Sequence, residues 1–309
     1  MAKKQKVIVT GAGGLVGQNL MFELENYDVT AISKSAESLA VLKSHHPNVS
    51  VIAADLAESG DWEKSFKGAD VLITLHAQIA AKNKEPFVRN NIIATQKVLA
   101  AAKKYKIPYI VHISSSVVIS VAKDDYTDTK REQEELVKNS GIPYTVLRPP
   151  LMFGWFDDKH LGWISRFMKT WKVFPVPGDG KFLRQPLFVS DFCKVIAACV
   201  KMKPKNKAYD IIGAENVTYI DIIRKIKAVL GLHTWIICIP MPIFAVLMKI
   251  YSLISPSFIF TNDQLKALTA GDKFPVWDWQ KFFKVKQTPF DKALEITHKG
   301  KYSGIILKQ

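Results

Sequence analysis

Short runs of valine, isoleucine and leucine alternate with longer amphipathic stretches through the first 150 residues. The runs Val7–Val9, Val29–Ile32, Val49–Ala53, Val71–Leu75, Tyr109–Ile113 and Thr145–Arg148 are apolar at nearly every position, the pattern of strands buried on both faces. Between them, Leu15–Glu25, Trp62–Lys67, Asn90–Lys104 and Asp128–Asn139 place apolar residues at helical spacing. Apolar strands that alternate with helices predict an α/β fold, a doubly wound parallel sheet covered by helices on both sides.

After Pro149 the rhythm changes to mixed loops, including the proline- and glycine-rich FPVPGDG at 174–180, followed by a helix through Phe192–Val200. We expect a first unit over 1–150 and a smaller C-terminal lobe over 151–309, with stretches such as 184–212 returning to the large sheet. Trp235–Phe260 is almost wholly apolar, and Lys249 is its only charge. Pro240, Pro242 and Pro256 leave about thirteen residues of unbroken helix, short of the ~20 that span a bilayer. This segment reads either as a buried helix of the small lobe or as an interfacial helix or apolar substrate channel.

The string VIVTGAGGLVGQNL sets Gly11, Gly14 and Gly17 three residues apart, directly after a strand and before a helix. Such glycines allow a tight turn, backbone approach to a pyrophosphate and close helix–sheet contact, with the helix N-terminus facing the anion. That context makes the sheet Rossmann-type and predicts a dinucleotide over Gly11, Gly14, Leu15, Val16 and Gly17. The second strand ends in Ser33-Lys34. A carboxylate there would bind ribose hydroxyls and repel a 2′-phosphate; its absence, with a cation adjacent, favours NADP over NAD. Asp55, followed by Leu56, is either a ligand of the adenine amino group or an ordinary helix cap.

Composition narrows the partners. The formal charge of +15 exceeds what solubility requires and fits an anionic ligand or surface. The lysines are scattered, and no helix-turn-helix, zinc-finger or aromatic-plus-basic sheet pattern points to nucleic acid. Three cysteines, Cys193, Cys199 and Cys238, make neither a disulfide framework nor a metal-ligand spacing. The N-terminus runs from basic residues straight into a strand, so a cytoplasmic protein is expected.

After the strand YIVHI come Ser114, Ser115 and Ser116, and then YTDTK, which puts Tyr126 and Lys130 four apart on one helical face. An ammonium there can lower a phenol's pKa so that it exchanges a proton with a substrate hydroxyl or carbonyl, and a serine hydroxyl can hold the same oxygen.

With these strings in view, residues 5–230 resemble the extended short-chain dehydrogenase/reductase family, the sugar-nucleotide epimerases and dehydratases. TGAGGLVG looks like its cofactor turn and NNIIATQKVLAAA like its Asn-x-x-x-Thr-x-x-x-Leu helix. HISSS with YTDTKREQEEL looks like its Ser/Tyr/Lys site, PYTVLRPPLMFG like the strand that enters the substrate lobe, and RQPLFVSDF like its phosphate-binding segment. The resemblance implies Tyr126 as general acid/base, Lys130 on the nicotinamide ribose with a lowered tyrosine pKa, and Ser116 as the third catalytic hydroxyl, with Ser114 and Ser115 competing for that place. It implies Ser115 and Arg184 at the substrate, with Lys181 nearby, and His76 beside the dinucleotide or packed in the core.

Two features depart from the pattern. Only ten positions separate Ser116 from Tyr126, and VVIS stands where Val-Tyr-Gly is usual. The C-terminal part looks more like atypical members, the nucleotide-binding accessory subunit of respiratory complex I and epimerases of polyprenyl-linked sugars. The expected activity is therefore NAD(P)-dependent hydride transfer on a nucleotide-diphosphate sugar. The alternatives are the same chemistry on a polyprenyl-diphosphate sugar or hydrophobic alcohol, with peripheral membrane contact through 235–260, and a non-catalytic accessory subunit. A homodimer is the family expectation.

Overall fold

The computed structural model describes residues 4–120, 123–254, 271, 274–305 and 307. Seven parallel strands form the central sheet: β1 (Lys6–Thr10), β2 (Asp28–Ser33), β3 (Ser50–Ala53), β4 (Val71–Thr74), β5 (Ile110–Ile113), β6 (Tyr144–Arg148) and β11 (Lys207–Asp210). Their order is β11-β6-β5-β4-β1-β2-β3. The chain runs outward from β1 to β3, then crosses back to β4 and runs the other way. The crevice where that reversal occurs, outside the carboxyl ends of β1 and β4, is where doubly wound sheets bind ligands.

Alternation along each strand divides the core between two helical layers. Val7, Val9, Val71, Ile73 and Val111 face a layer containing the helices Leu15–Leu20 and Val189–Met202, through Leu20, Val195 and Cys199. Ile8, Leu72 and Ile110 face the opposite layer, meeting Val98 and Ala102 of the helix Ala94–Lys104 together with Trp62 and Phe66. With both faces covered, the inner strands β1, β4 and β5 are buried almost throughout, whereas the edge strands β3 and β11 are largely exposed.

Three helical expectations shift. The stretch from Leu15 ends as α-helix at Leu20 and tightens into a 3₁₀ turn, Met21–Glu23, and Asp61–Phe66 is 3₁₀ throughout. The helix expected from Asp128 starts at Asp125, because Asp124 caps it by accepting from the Thr127 amide at 2.8 Å. Both Tyr126 and Lys130 therefore lie within the helix Asp125–Lys138.

The smaller lobe has its own core. Leu161, Ile164 and Met168 of the helix Leu161–Thr170 pack with Ile222, Ile223 and Ile226 of Tyr219–Leu230 and with Phe290 and Leu294 of Phe290–Lys299. Short strands line it: β7 (Met152–Phe153) with β10 (Leu187–Phe188), β9 (Leu183–Arg184) with β12 (Val217–Thr218), and β8 (Val173–Pro177) with β13 (Trp235–Ile239). Between β10 and β12 the chain returns to the large sheet as β11, paired with β6.

The apolar segment from Trp235 is not a single buried helix. It forms β13 and then the helix Met241–Ile254; residues 255–260 lie outside the described residues. Phe244 is buried, but Ile243, Val246, Leu247 and Ile250 are each about half exposed. Their i, i+3, i+4, i+7 spacing makes one apolar face. Among the described residues, no helix is long and apolar enough to cross a membrane.

Candidate active site

The turn after β1 is shaped by what the chain itself leaves room for. Gly11 has φ +70°, and a Cβ there would stand 2.5 Å from the His76 backbone nitrogen, so only glycine lets β1 and the end of β4 meet this closely. A Cβ on Gly17 would lie 2.2 Å from the Ala12 carbonyl oxygen. Gly14 differs, because its Cβ would meet nothing closer than the Gly11 carbonyl at 3.5 Å. The first and third glycines are demanded by packing, whereas the middle one keeps its surroundings open, the cradle a pyrophosphate requires. Sequence reasoning missed Gly13, whose Cβ would strike the Ser33 hydroxyl at 2.8 Å and so binds the turn to the end of β2. The doublet in GAGG was the available signal. Leu15 begins the following helix, Val16 is buried in it, and Leu56 is buried after β3.

At the far end of this crevice Lys34 is not a free cation. Its Nζ lies 2.7 Å from Asp55 Oδ2, which Arg89 Nη1 also meets at 2.7 Å, and Asp55 Oδ1 accepts from the Ala57 amide at 3.0 Å. Burial opposes ionisation of Asp55, but these donors outweigh it and hold the carboxyl at about 2. Asp55 thus both caps its own turn and neutralises the cation that the sequence offered to a 2′-phosphate. Arg89, which also meets Glu58 at 2.7 Å, carried no motif in the sequence.

The three serines take different positions. Ser115, partly exposed, lies near enough to Tyr126 to lower its phenol's pKa, and its hydroxyl accepts from the Val117 amide at 3.4 Å. Ser116 is buried at the start of the 3₁₀ turn Ser116–Ile119, its amide donating to the Pro149 carbonyl at 2.9 Å. Ser114 is buried beside Glu134. Of the three serines, Ser115 is the one that acts on the Tyr126 phenol's pKa. The strand's alternation explains this, since adjacent residues leaving β5 point in opposite directions.

Lys130 is fully buried, donating to the Ile113 carbonyl at 3.0 Å and to Gln133 Oε1 at 2.5 Å. Burial pushes its pKa down to about 7, against the pull of Glu134. Burial also raises the Tyr126 phenol, against the lowering influence of nearby Ser115. The expected lowering of the tyrosine by Lys130 therefore does not prevail; burial weighs against the charged form of both groups.

His76 is locked edge-on beneath the crevice, Nδ1 2.8 Å from Thr10 Oγ1 and Nε2 2.9 Å from Thr95 Oγ1. Burial, reinforced by Lys130, pushes its pKa down to about 3, so the ring stays neutral. Its imidazole is a packed, satisfied group, and it is its backbone that lines the glycine turn. Behind the helix, Glu134 takes both oxygens to Arg148, Oε2 at 3.0 Å and Oε1 at 2.5 Å, and its Oε1 meets Lys138 at 2.7 Å. This pins the helix Asp125–Lys138 to β6. In the small lobe Arg184 is buried on β9 with its guanidinium 5.7 Å from the centre of the Phe182 ring, which stacks on Tyr219; Lys181 is exposed. Among the described residues no cluster of His, Cys, Asp or Glu could hold a metal.

A sheet reversal carrying a glycine turn, with a Ser/Tyr/Lys arrangement one strand away, defines a dinucleotide-type enzyme of the short-chain dehydrogenase/reductase class. A model of the NAD dependent epimerase/dehydratase family matches residues 7–212, and the chain belongs to that family.

Its relatives and structural neighbours are epimerases, dehydratases and reductases. It is 26% identical over 226 residues to a 4-hydroxy-2-methyl-3-oxo-4-farnesyl-3,4-dihydroquinoline-1-oxide ketoreductase of Stigmatella aurantiaca, covering 66% of this chain and 67% of that one. With a ceramide reductase of Caulobacter vibrioides it shares 24% over 244 residues, 76% of this chain and 74% of the other. The fold superposes on a dTDP-glucose 4,6-dehydratase of Streptomyces venezuelae solved with NAD bound, at a TM-score of 0.78 and 15% identity, covering 96% of each chain. A UDP-glucuronic acid 4-epimerase of Bacillus cereus with NAD matches at 0.69 and 25% identity, over 76% of this chain and 88% of its own.

Proposed function

We propose that this enzyme binds NAD and acts on a nucleotide-diphosphate sugar by hydride transfer, with Tyr126 as the general acid/base. The observation that carries this reading is the placement of Ser115 near Tyr126, with Lys130 one helical turn further on, beside the sheet reversal. Gly11, Gly14, Leu15, Val16 and Gly17 would hold the pyrophosphate, Asp55 and Leu56 the adenine end, and Lys130 the nicotinamide ribose. The nicotinamide supplies the hydride acceptor when bound. Tyr126 takes the proton of the reacting sugar hydroxyl, Ser115 holds the same oxygen in place of the Ser116 expected from the family pattern, and Arg184 receives the diphosphate. NAD is favoured over NADP because Asp55 already occupies Lys34.

The test is incubation of the purified enzyme and NAD with UDP- and dTDP-sugars deuterated at C4. Transient NADH with either inversion at C4 or deuterium carried to another carbon supports the reading. Full cofactor binding with no reaction of any of these sugars overturns the nucleotide-sugar assignment.

A second reading is favoured by the exposed face Ile243, Val246, Leu247 and Ile250, together with Trp171 (58% exposed) and Trp235 (70% exposed) beside Lys172. Tryptophans, a broad apolar face and a +15 chain suit an anionic bilayer surface, and hence a sugar or alcohol presented on a lipid. Cosedimentation with phosphatidylglycerol vesicles, lost on Val246→Glu, supports it. A protein that stays in the supernatant, or one that self-associates without lipid through this face, rejects it.

A further inference from the structure

One fully buried side chain beside Lys130 has no part in the proposed chemistry. Gln133 is 0% exposed, three residues further along the same helix. Its Oε1 accepts from Lys130 Nζ at 2.5 Å, and its Nε2 donates to the His76 carbonyl at 3.2 Å and to Thr95 Oγ1 at 2.9 Å. The orientation of this amide is forced. An ammonium only donates and a carbonyl only accepts, so exchanging the amide's oxygen and nitrogen would break both ends at once.

The far end of the chain of contacts is the glycine turn. The His76 ring is held by Thr10 and Thr95, and its backbone nitrogen would stand 2.5 Å from a Cβ on Gly11. Lys130, Gln133, His76 and Gly11 therefore form one line of contacts from the helix that carries Tyr126 to the turn that would hold the pyrophosphate. An ammonium has three N–H groups; Ile113 and Gln133 take two, leaving one for a ligand.

We propose that Gln133 is a positioning residue: it registers the Lys130 ammonium against the nucleotide turn and supports it with a neutral acceptor that leaves the lysine free to titrate. The proposal rests on the reading of Lys130 as a ligand of the nucleotide ribose. Burial, which sets Lys130 at about 7, is not countered by a carboxylate in direct contact. The charged or titratable groups around it are Glu134, engaged by Arg148 and Lys138 on the same helix, Tyr126 one turn back, and His76 and His112 from β4 and β5, both held neutral by burial. A carboxylate at position 133 would lock the ammonium; an apolar side chain would strip it of its acceptor.

The experiment is NADH titration by fluorescence between pH 6 and 10, with the melting temperature of each variant measured alongside. In the wild type, affinity falls as the pH rises through the Lys130 titration, and Lys130→Met abolishes that fall. Gln133→Glu, which is isosteric, shifts the fall upward by about one pH unit or more. Gln133→Leu weakens binding about tenfold and shifts the fall downward. Gln133→Met substitutes if the leucine variant does not fold. If Lys130→Met leaves the pH dependence in place, the reading of Lys130 itself is wrong. If Lys130→Met removes it while the Gln133 variants keep the wild-type profile and change only the melting temperature, Gln133 is structural and the proposal fails.

Discussion

Lys34 Nζ stands 2.7 Å from Asp55 Oδ2, joining the end of β2 to the turn after β3 at the edge of the crevice where an adenosine would lie. The lysine is largely exposed, so the pair adds little to stability, but it decides which charge the crevice presents. NADH is therefore expected to bind more tightly than NADPH. Asp55→Ala releases Lys34, while Glu58 still holds Arg89 at 2.7 Å, and should shift the preference toward NADPH about tenfold, a change within the range of one charge-assisted contact to phosphate. Fluorescence titration with each nucleotide checks both statements, and an unaltered ratio in the variant would show that this cation does not face the ribose.

The three glycines of the turn should respond differently to alanine. Gly11→Ala meets both a positive φ and a contact of 2.5 Å, and Gly17→Ala a contact of 2.2 Å, so each should cost about 2 kcal/mol or more in chemical denaturation. Gly14→Ala has room and an ordinary φ of −82°. It should melt near the wild-type temperature yet lose NADH affinity at least about tenfold, since its methyl enters space a pyrophosphate needs.

Substitutions in the catalytic group separate the adjacent serines. Tyr126→Phe should reduce turnover about 10²–10⁴-fold with nucleotide binding intact, as expected for removal of a proton-transfer group. Ser115→Ala should follow with a loss of about tenfold or more, from one lost hydrogen bond to a reacting oxygen. Ser116→Ala, whose side chain is buried at the start of its 3₁₀ turn, should retain turnover within a few fold. The reverse order for the two serines, measured on whichever sugar nucleotide turns over, would return the role to Ser116.

Glu134 gives the protein an acid-sensitive brace. Its carboxyl is buried, which opposes ionisation, but hydrogen bonds from Arg148 and Lys138 dominate and hold it at about 2, below its ordinary 4.5. A depressed carboxyl stabilises the fold fully above 4.5, and that contribution is lost as the pH falls from 4.5 through about 2. Glu134→Gln should cost about 3 kcal/mol at neutral pH by removing the bidentate partner of half-buried Arg148, which keeps only Asp210 at 3.3 Å. Urea midpoints at pH 7, 4 and 2.5 should converge for the two proteins as the pH drops; parallel curves would mean that Glu134 does not carry the brace.

Much of the fold was legible because its signals are local. Runs such as Val71–Leu75 are apolar on successive positions only when both faces of a strand are covered, and the spacing of Gly11, Gly14 and Gly17 follows from backbone geometry within eight residues. The four-residue separation of Tyr126 and Lys130 guaranteed one helical face wherever the helix began. The segment after Trp235 was less legible, because an apolar run has the same composition whether it faces a core or the surface. The structure makes it a strand and a helix with an exposed face.

The amino-acid sequence by itself determined the class of sheet, the place of the dinucleotide turn and the pairing of a phenol with a lysine, since each depends on residues a few positions apart. Tertiary structure decided what long-range contact alone can decide. It set Ser115 near Tyr126, tied Lys34 to Asp55, turned Gln133 between Lys130 and His76, and returned residues 207–210 to the sheet edge. Each of these contacts except the helical step from Lys130 to Gln133 joins groups more than ten residues apart. Their chemistry is set by burial and by which partner arrives, and neither is written in local spacing.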